Sequence, residues 1–581
     1  MRKPFSIPYL SETHLENNLR ALALRSPELC RWIQDCRDDE EAFQVQMTAS
    51  GKPNILLERN SGLLLHSATD PVQEAEKEVG KLQCGPRQAI LCLGVGLGYY
   101  LEALLRRHNP CQPVTAYERS PRLLMLAFMR TDFMRDILAG RLKFLSPYDI
   151  LKSRPADRKG FHLWPHPVLG PLYDWEKTLF ASQAVTAGPY RRALVISGGL
   201  FSLDVSEALR DTGLEVLSWN PPCSEQQHII KEIISLHPHL IVSINYRHGL
   251  PEISRTLGIP LLVWEIDPSI ERLAPHRVSH PDTYIYTYRK ANIPRFREAG
   301  FEHVEYLPLA ANPKRRYPKD LSDEEADRWG ADVSFAGSSM AAQAEALRQL
   351  YFQLTRDRSF PPSAKTDDPV RDYASLWDTA IASQSRNPDG YVIEELFREY
   401  LPQSSWVAAD EEERLVDLAV CTAETAASER RAQALNTLSQ LDSGFRIRVW
   451  GDEGWSRILP DNIQYRGPVG HFHELTSVYN ASRINLDVNR IYQRDIATMR
   501  VFDVLACKGF LLADWSDDLG ELFQLGSEVL AYRSLSEIPS LVRHFLTHPR
   551  EREEIAEAGY QRVLREHTIQ SRVECMLDHL P

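Results

Sequence analysis

Two aspartates and one arginine near the C-terminal end carry the strongest chemistry in the chain. Asp495 and Asp503 stand eight positions apart, and Arg500 lies three positions before the second. Carboxylate oxygens accept hydrogen bonds from neighbouring hydroxyls, so a pair of them suits a sugar. A guanidinium offers a planar fork of donors that suits phosphate. A short helix leaving an α/β sheet adds a positive end, the usual seat of a diphosphate. The same spacing also fits a solvated helix face with an i,i+3 ion pair between Arg500 and Asp503. Spacing alone does not choose between the two.

The elements that position these residues are legible in INLDVNRIYQRDIATMRVFDVLACKGFLLAD, Ile484 to Asp514. Ile484 to Val488 alternates as a short buried strand does, and Asn489 to Arg494 has no apolar period and reads as a loop. From Ala497 the apolar positions Met499, Phe502, Leu505 and Ala506 recur at helical spacing, which turns Arg500 and Asp503 away from the buried stripe. Gly509 is the expected left-handed residue ending that helix, and Phe510 to Ala513 starts the next strand.

The D-x7-D spacing resembles the acidic E-x7-E motif of two-domain, GT-B fold glycosyltransferases, with aspartate where that motif has glutamate. MRVFDVLACKGFLLAD, LGELFQLGSEVLAY and HPREREEIAEAGYQRVLREHT resemble the CgeB-like, spore-maturation type of these enzymes, from about Asp332 to the C-terminus. The resemblance implies a GT-B fold and a sugar donor carried as a UDP or dTDP diphosphate. It implies Asp503 on the ribose and Asp495 on the sugar or a neighbouring hydroxyl. Arg500 is the choice for the diphosphate, with Arg494 and Lys508 in reserve. No metal ion or other cofactor is expected.

Composition narrows the alternatives. The chain of 581 residues is 43% hydrophobic and 25% charged, enough for several globular cores. A net charge of −12 leaves no basic surplus for neutralising nucleic-acid phosphates. No apolar run reaches the length of a membrane span, and MRKPFSIPYLSETHLENN lacks the apolar core of a signal peptide, so a cytoplasmic protein is expected. The nine cysteines form no C-x-x-C pair, and Cys92 and Cys507 sit inside apolar patterns as core residues.

The first part reads as a helix over Leu19 to Cys36, two short strands around a turn at Asn60–Gly62, and a helix after Asp70-Pro71. AILCLGVGLGYYLEALL then runs from a buried strand through Gly94, Gly96 and Gly98 into a helix, and VTAYE ends in Glu118, twenty residues after Gly98. Glycines at such a turn admit a close ligand, and the acid could hold ribose hydroxyls of S-adenosylmethionine or a dinucleotide. Equally, such a turn can serve only to pack a helix on a sheet. LLLHSATDPVQEAEKEV, LGVGLGYYLEALL and YERSP resemble the N-terminal region of the motility accessory factor (Maf) family over about residues 15 to 150. That family is associated with flagellin glycosylation. The resemblance implies a protein acceptor such as flagellin, and it leaves the ligand of the glycine turn unassigned.

Residues 152 to 190 are rich in Pro, His, Trp and Gly and read as a linker with short helices. From RRALVISGG onward, strands and helices alternate as in a parallel, doubly wound sheet. Asn245, His248, Glu265 and Asp267 fall at or just beyond strand C-termini, where such sheets place ligands. Asp267 or Glu265 is the candidate general base if the reaction inverts the anomeric centre. DVSFAGS opens a second Rossmann-like half with Gly337 and Ser338 at its first turn. Residues 340–442 form a mostly helical insertion, in which PPSAKTDDP is an exposed loop. FRIRVWG and NIQYRG resume the sheet, with Gly451 and Gly467 at strand ends suited to a nucleotide base. The terminal helix from Glu551 is amphipathic and is expected to pack across the two halves.

The expected organisation is α/β: a Rossmann-like N-terminal module (1–188), an acceptor-side GT-B domain (189–318) and a nucleotide-sugar domain with the helical insertion (319–581). The expected function is transfer of a sugar to protein Ser or Thr. Two rivals stand beside it: a methyltransferase working through Gly94–Gly98 and Glu118, and a non-catalytic nucleotide-sugar-binding protein.

Overall fold

The computed structural model describes residues 10–35, 43–58, 63–85, 88–107, 113–152, 160–173, 176–177, 180, 191–196, 198, 200–220, 226–267, 280–361, 364–365, 369–409, 415–442 and 444–580. The expected turn at 60–62 and the boundary near residue 188 lie outside them, as do parts of the 152–190 stretch and of the loop PPSAKTDDP.

Three parallel sheets organise the chain. The first has the order Leu142–Leu145, Val114–Tyr117, Ile90–Leu93, His162–Pro165. Its last strand corrects the reading of residues 152–190 as a linker, because His162–Pro165 pairs in register with Ile90–Leu93. Four residues flanked by Pro and His are too short to show a period, and only the neighbouring strand defines them. The expected single helix over Leu19 to Cys36 is two, Glu12–Arg25 and Pro27–Asp35, broken where Pro27 removes a donor.

The second sheet runs His303–Tyr306, Thr283–Thr287, Leu261–Glu265, Leu240–Ile244, Arg192–Ile196, Glu215–Trp219. One face of it shares an apolar cluster with the first module, joining Leu194, Ile241, Tyr246 and Ile253 to Leu101, Leu124 and Phe144. The third runs Ile463–Tyr465, Ile447–Trp450, Ala331–Ala336, Ser482–Leu486, Leu511–Asp514, Leu530–Tyr532. Its first strand in sequence, Ala331–Ala336, is central, with later strands added on both sides. The order therefore reverses there, and a crevice opens beyond its C-terminal end. All strands within each of these three sheets are parallel, as both-face burial requires of their near-continuous apolar runs.

The insertion after Ala336 is helical, with Ala341–Thr355, Tyr373–Arg386, Ile393–Tyr400 and Leu418–Thr437, plus a small antiparallel pair Val407–Ala409 and Leu415–Asp417. It has its own core, built on Tyr351, Trp377, Phe397 and Trp406. The helix Leu418–Thr437 is buried along most of its length and returns the chain to the crevice.

The C-terminal helix does cross back. Ile569–Asp578 packs against the helix Ser202–Asp211, and Arg572 donates to the carbonyls of Pro308 at 2.9 Å and Leu309 at 3.3 Å. No helix among the described residues is long and apolar enough to cross a membrane.

Candidate active site

The helix Met499–Ala506 starts two residues later than expected, because Ala497 and Thr498 still belong to the preceding loop. Thr498 occupies the N-cap position without capping: its hydroxyl donates instead to Asp487, at 3.0 Å. The first amides of the helix are therefore left without a side-chain acceptor, and a helix start in this condition attracts an anion. The other end departs from expectation. Lys508, with φ +57°, is the left-handed residue, and the amides of Lys508 and Gly509 close a Schellman motif on Leu505 and Val504. Gly509 is needed for space, since a Cβ there would lie 3.0 Å from Asn485 and Val504.

A cavity of about 560 Å³ opens at the reversal of strand order. Ala336, Gly337 and Ser338 line it from the central strand, Gly451 and Asp452 from the next, and Val488 and Arg490 from the third. Thr498, Met499, Arg500 and Asp503 bring the helix start to the same space. Gly451 has to be glycine: a Cβ would sit 2.2 Å from the Gly337 carbonyl and 2.8 Å from the Trp455 indole nitrogen. That indole N–H donates to the same carbonyl at 2.8 Å, so the two strand-end turns lock together. Asp452 strengthens the lock by accepting from the hydroxyls of Ser338 and Ser339 and the Ser339 amide. Burial acts to raise its pKa, and these donors outweigh burial and hold the carboxyl below its ordinary value.

The positive charge differs from the sequence reading. Arg500 does not pair with Asp503. It pairs with the fully buried Asp487 and donates to the Ala336 carbonyl at 2.7 and 3.1 Å, so it braces the loop as well as lining the cavity. Arg494 lies outside the cavity wall, over the Trp515 ring at 5.6 Å, and Lys508 faces Glu557 on a different surface. The two reserve cations are therefore misplaced. Their positions are taken by Arg431, from the inserted helix, and Arg490. Arg431 donates to the Ser338 carbonyl at 2.8 Å, and Arg490 is held by Glu424 at 3.2 Å and the Tyr492 hydroxyl at 3.1 Å. Burial, together with the nearby charges of Arg500 and Arg490, pushes Arg431 down to about 10. It stays charged at neutral pH in a site that an anion would relieve. Nothing local in the sequence marks Arg431, since it sits in a helix that reads as part of an insertion.

Asp503 lines the cavity and is 4% exposed, not on an open helix face. Burial raises its carboxyl pKa, and Arg316, at 2.9 Å, pulls it back. Asp495 is not in the cavity wall. It stands at the cleft between the second and third sheets, where it meets Arg289 of the other half at 2.6 Å. Gly467 accepts the Gly451 amide at 3.0 Å, and its neighbours Pro468 and Val469 line the cavity.

On the opposite half, Asp267 is exposed at the end of the strand Leu261–Glu265 and accepts from Asn245 at 2.7 Å. Glu265 is 1% exposed, and its carboxylate accepts the Tyr246 amide beneath the surface, which removes it as a base. His248 is exposed on the loop that follows Asn245.

The glycine turn of the first module is built differently. Gly94, Gly96 and Gly98 all take positive φ, as expected of such a turn. Yet its amides are already spent. Val95 and Gly96 donate to Glu118 at 2.8 and 3.4 Å, and Leu97 to His66 at 3.1 Å. Gly94 donates to the Tyr117 carbonyl and Gly98 to that of Val95, each at 2.9 Å. Glu118 is fully buried and also accepts the amides of Arg119 and Ser120 and the Tyr173 hydroxyl. His66 and His166 roof the turn, so close that a Cβ on Gly96 would fall 2.8 Å from one imidazole and 3.0 Å from the other. The turn packs on protein, and the acid expected to hold a ribose holds the turn.

Residues 430–578 match the glycosyl transferase-like family model. The matched stretch starts at the inserted helix's Arg430 and takes in Arg431, Gly451, Arg490, Arg500 and Asp503, so the cavity's cations and its buried carboxylate all belong to the glycosyl transferase-like segment. Two Rossmann-like halves facing across a cleft, with a terminal helix returning to the first, give the GT-B architecture expected from the sequence. Among solved structures the chain is similar to a glycosyltransferase from Rickettsia africae ESF-5, at 10% identity over 67% of this chain and 98% of that one, with a TM-score of 0.39. It is also similar to the Anabaena protein Alr3699/HepE solved with UDP and glucose, at 9% identity over 67% and 99% of the two chains, with a TM-score of 0.38. The sucrose-phosphate synthase of Thermosynechococcus elongatus is 12% identical over 67% and 98%, with a TM-score of 0.37. No curated protein gives a significant match.

Proposed function

We propose that the protein is a cytoplasmic glycosyltransferase that takes a sugar from a UDP or dTDP donor and transfers it to Ser or Thr of a protein acceptor, with bacterial flagellin the leading candidate. One observation carries the donor half of this reading. The uncapped start of Met499–Ala506 and the guanidinium groups of Arg431 and Arg490 face one cavity, beside the buried carboxylate of Asp503. A diphosphate satisfies the cations and the free amides together, and Asp503 accepts from ribose hydroxyls. The matched glycosyl transferase-like segment supports the same reading.

In this scheme the bond between the sugar's anomeric carbon and the diphosphate oxygen breaks, and charge grows on the departing diphosphate. Arg431, Arg490 and the helix start lie ready to stabilise that charge without reorganising. Asp495, ion-paired to Arg289, is assigned to the sugar or a neighbouring hydroxyl. Asp267, exposed on the acceptor half, is the candidate to take the hydroxyl proton if the anomeric centre inverts. The acceptor class rests on the Maf-like resemblance of the first module together with the CgeB-like resemblance of the second part. The methyltransferase rival loses its support, because the amides of the Gly94–Gly98 turn have no capacity left for a nucleotide.

Thermal-shift profiling of the full chain against UDP-, dTDP-, GDP- and CMP-sugars tests the donor. A UDP- or dTDP-sugar is expected to raise Tm and to be hydrolysed slowly without acceptor. No shift with any of the four classes refutes the reading, and saturable S-adenosylmethionine binding would restore the rival.

A further inference from the structure

The segment that joins the two facing sheets divides sharply between two consecutive arginines. On its first side, Asn312 donates to Asp204 at 2.7 Å and Glu207 at 3.0 Å. Arg315 continues in the same direction, with its guanidinium on Asp204 at 2.6 Å and Glu207 at 2.7 Å, both on the helix Ser202–Asp211 of the second sheet's half. Arg316 turns the other way. It is 2% exposed, and it donates to the Thr476 hydroxyl at 3.1 Å and the His471 carbonyl at 2.8 Å. Its Nε stands 2.9 Å from Asp503. The chain after it stays with the third sheet's half, where Asn480 receives the Lys319 amide at 2.9 Å and donates to the Tyr317 carbonyl at 3.0 Å.

Thr476 couples the two directions, because its hydroxyl also donates to the Arg315 carbonyl at 2.7 Å. The carboxylate that lines the cavity is therefore held by the first interdomain residue committed to the third sheet. A short aspartate has few ways to be aimed, and in a buried site an uncompensated one would not remain ionised. Arg316 supplies the countercharge, and its bonds to Thr476 and His471 fix where that charge stands beside the carboxylate.

Resting on the donor reading above, we infer that Arg316 is the positioning residue for Asp503, presenting its carboxylate to the ribose hydroxyls of the donor nucleotide and tying nucleotide occupancy to the segment between the two halves. Arg316 touches no donor atom in this scheme. Its effect is confined to what Asp503 recognises, so it sets preference for the ribose and leaves the phosphate contacts of Arg431 and Arg490 in place.

The test compares binding of UDP with binding of 2′,3′-dideoxyuridine diphosphate by isothermal titration, using the full chain, Arg316→Gln and Thr476→Val. If the protein binds dTDP and not UDP, the pair becomes dTDP and its 3′-deoxy analogue. The unaltered chain is expected to prefer the hydroxyl-bearing nucleotide by about 10-fold or more. In Arg316→Gln the preference falls to about twofold or less, while affinity for the dideoxy nucleotide stays within about threefold. A merely structural role would weaken both nucleotides together and leave their ratio intact, and that result overturns the inference. Thr476→Val removes one brace of Arg316, together with the bond to the Arg315 carbonyl, and is expected to reduce the ratio part-way; it decides the matter if Arg316→Gln does not fold, an unchanged ratio again overturning the inference. Failure of the unaltered chain to bind either nucleoside diphosphate overturns the donor reading itself. Equal binding of both members of the pair overturns only the assignment of Asp503 to the ribose, and Arg316's role with it.

Discussion

Arg289 and Asp495 meet at 2.6 Å across the cleft, one from the loop after Thr283–Thr287 and the other from the loop before Met499–Ala506. A second donor of Arg289 reaches the Tyr492 carbonyl at 3.0 Å, so one guanidinium from the second sheet's half grips the loop that carries half of the D-x7-D pair. The two side chains are 21% and 32% exposed, which makes the pair a modest contributor to global stability and a direct sensor of how the halves are apposed.

Arg289→Ala is accordingly expected to lower Tm by no more than about 2 °C while reducing donor kcat/KM roughly tenfold. Asp495→Asn should show a similar loss. The double variant should be little worse than either single one, as residues that act together are not additive. Independent, multiplying losses measured in the same cycle would show that the pair does not act as a unit.

Arg431 should matter for phosphate and not for the base. Arg431→Met is expected to weaken UDP binding by roughly 10- to 100-fold, the range for a lost charge-assisted contact, and to leave uridine binding within about twofold. Calorimetric titration with the two ligands checks this, and an equal loss for both would place Arg431 away from the diphosphate.

The two strand-end glycines predict opposite kinds of defect. Gly451→Ala forces a Cβ to within 2.2 Å of a backbone carbonyl and should abolish nucleotide binding, with a stability cost of about 2 kcal/mol or more. Gly467 has φ +85° and open space around it, so Gly467→Ala pays only backbone strain, about 1–2 kcal/mol, and keeps measurable nucleotide affinity. Denaturant melts paired with UDP titration separate the two outcomes, and comparable nucleotide affinity in both variants would contradict the prediction.

The histidine roof over the glycine turn makes the first module acid-sensitive. His166 is buried, its Nδ1 accepts the amides of Val168 and Leu169 at 3.1 and 3.2 Å, and burial pushes its pKa down to about 3. The unfolded chain therefore takes up a proton near pH 6.5 that the folded chain refuses. This contribution is complete above pH 6.5 and is lost as pH falls from there toward 3. Asparagine can offer its carbonyl oxygen where Nδ1 accepts, without titrating. The stability of the native chain relative to His166→Asn should thus fall by about 2 kcal/mol between pH 7 and pH 5, read from urea melts. A difference independent of pH would mean that His166 is charged or solvated in the folded protein.

Much of the architecture was written in local pattern. Apolar runs of four to six residues bounded by turns marked the strands of the second and third sheets, and the period of Met499, Phe502, Leu505 and Ala506 marked the helix beside the cavity. The positions of Gly337 and Gly451 at strand ends followed from the same alternation, because a doubly wound sheet puts every such turn on one edge. Chemistry set by residue type was readable in part: Asp503 and Arg500 do line the cavity, whereas Asp495, eight positions before Asp503, does not.

What the tertiary structure alone decided was partnership. Arg500 and Asp503 are neighbours on one helix, yet each is claimed by a residue from another element: Asp487, beyond the preceding strand, for one, and Arg316, far off in sequence, for the other. Arg431 reaches the cavity from an insertion whose local pattern carries no mark of the site, while Arg494, next to the motif, lies over Trp515 instead. Glu118 and the three glycines have the spacing of a nucleotide turn, and only the placement of His66 and the buried carboxylate shows its amides to be spent. Periodicity reports which face of an element is buried. Which charge meets which depends on loop paths and on strands brought together across hundreds of residues, and spacing along the chain holds no record of those distances.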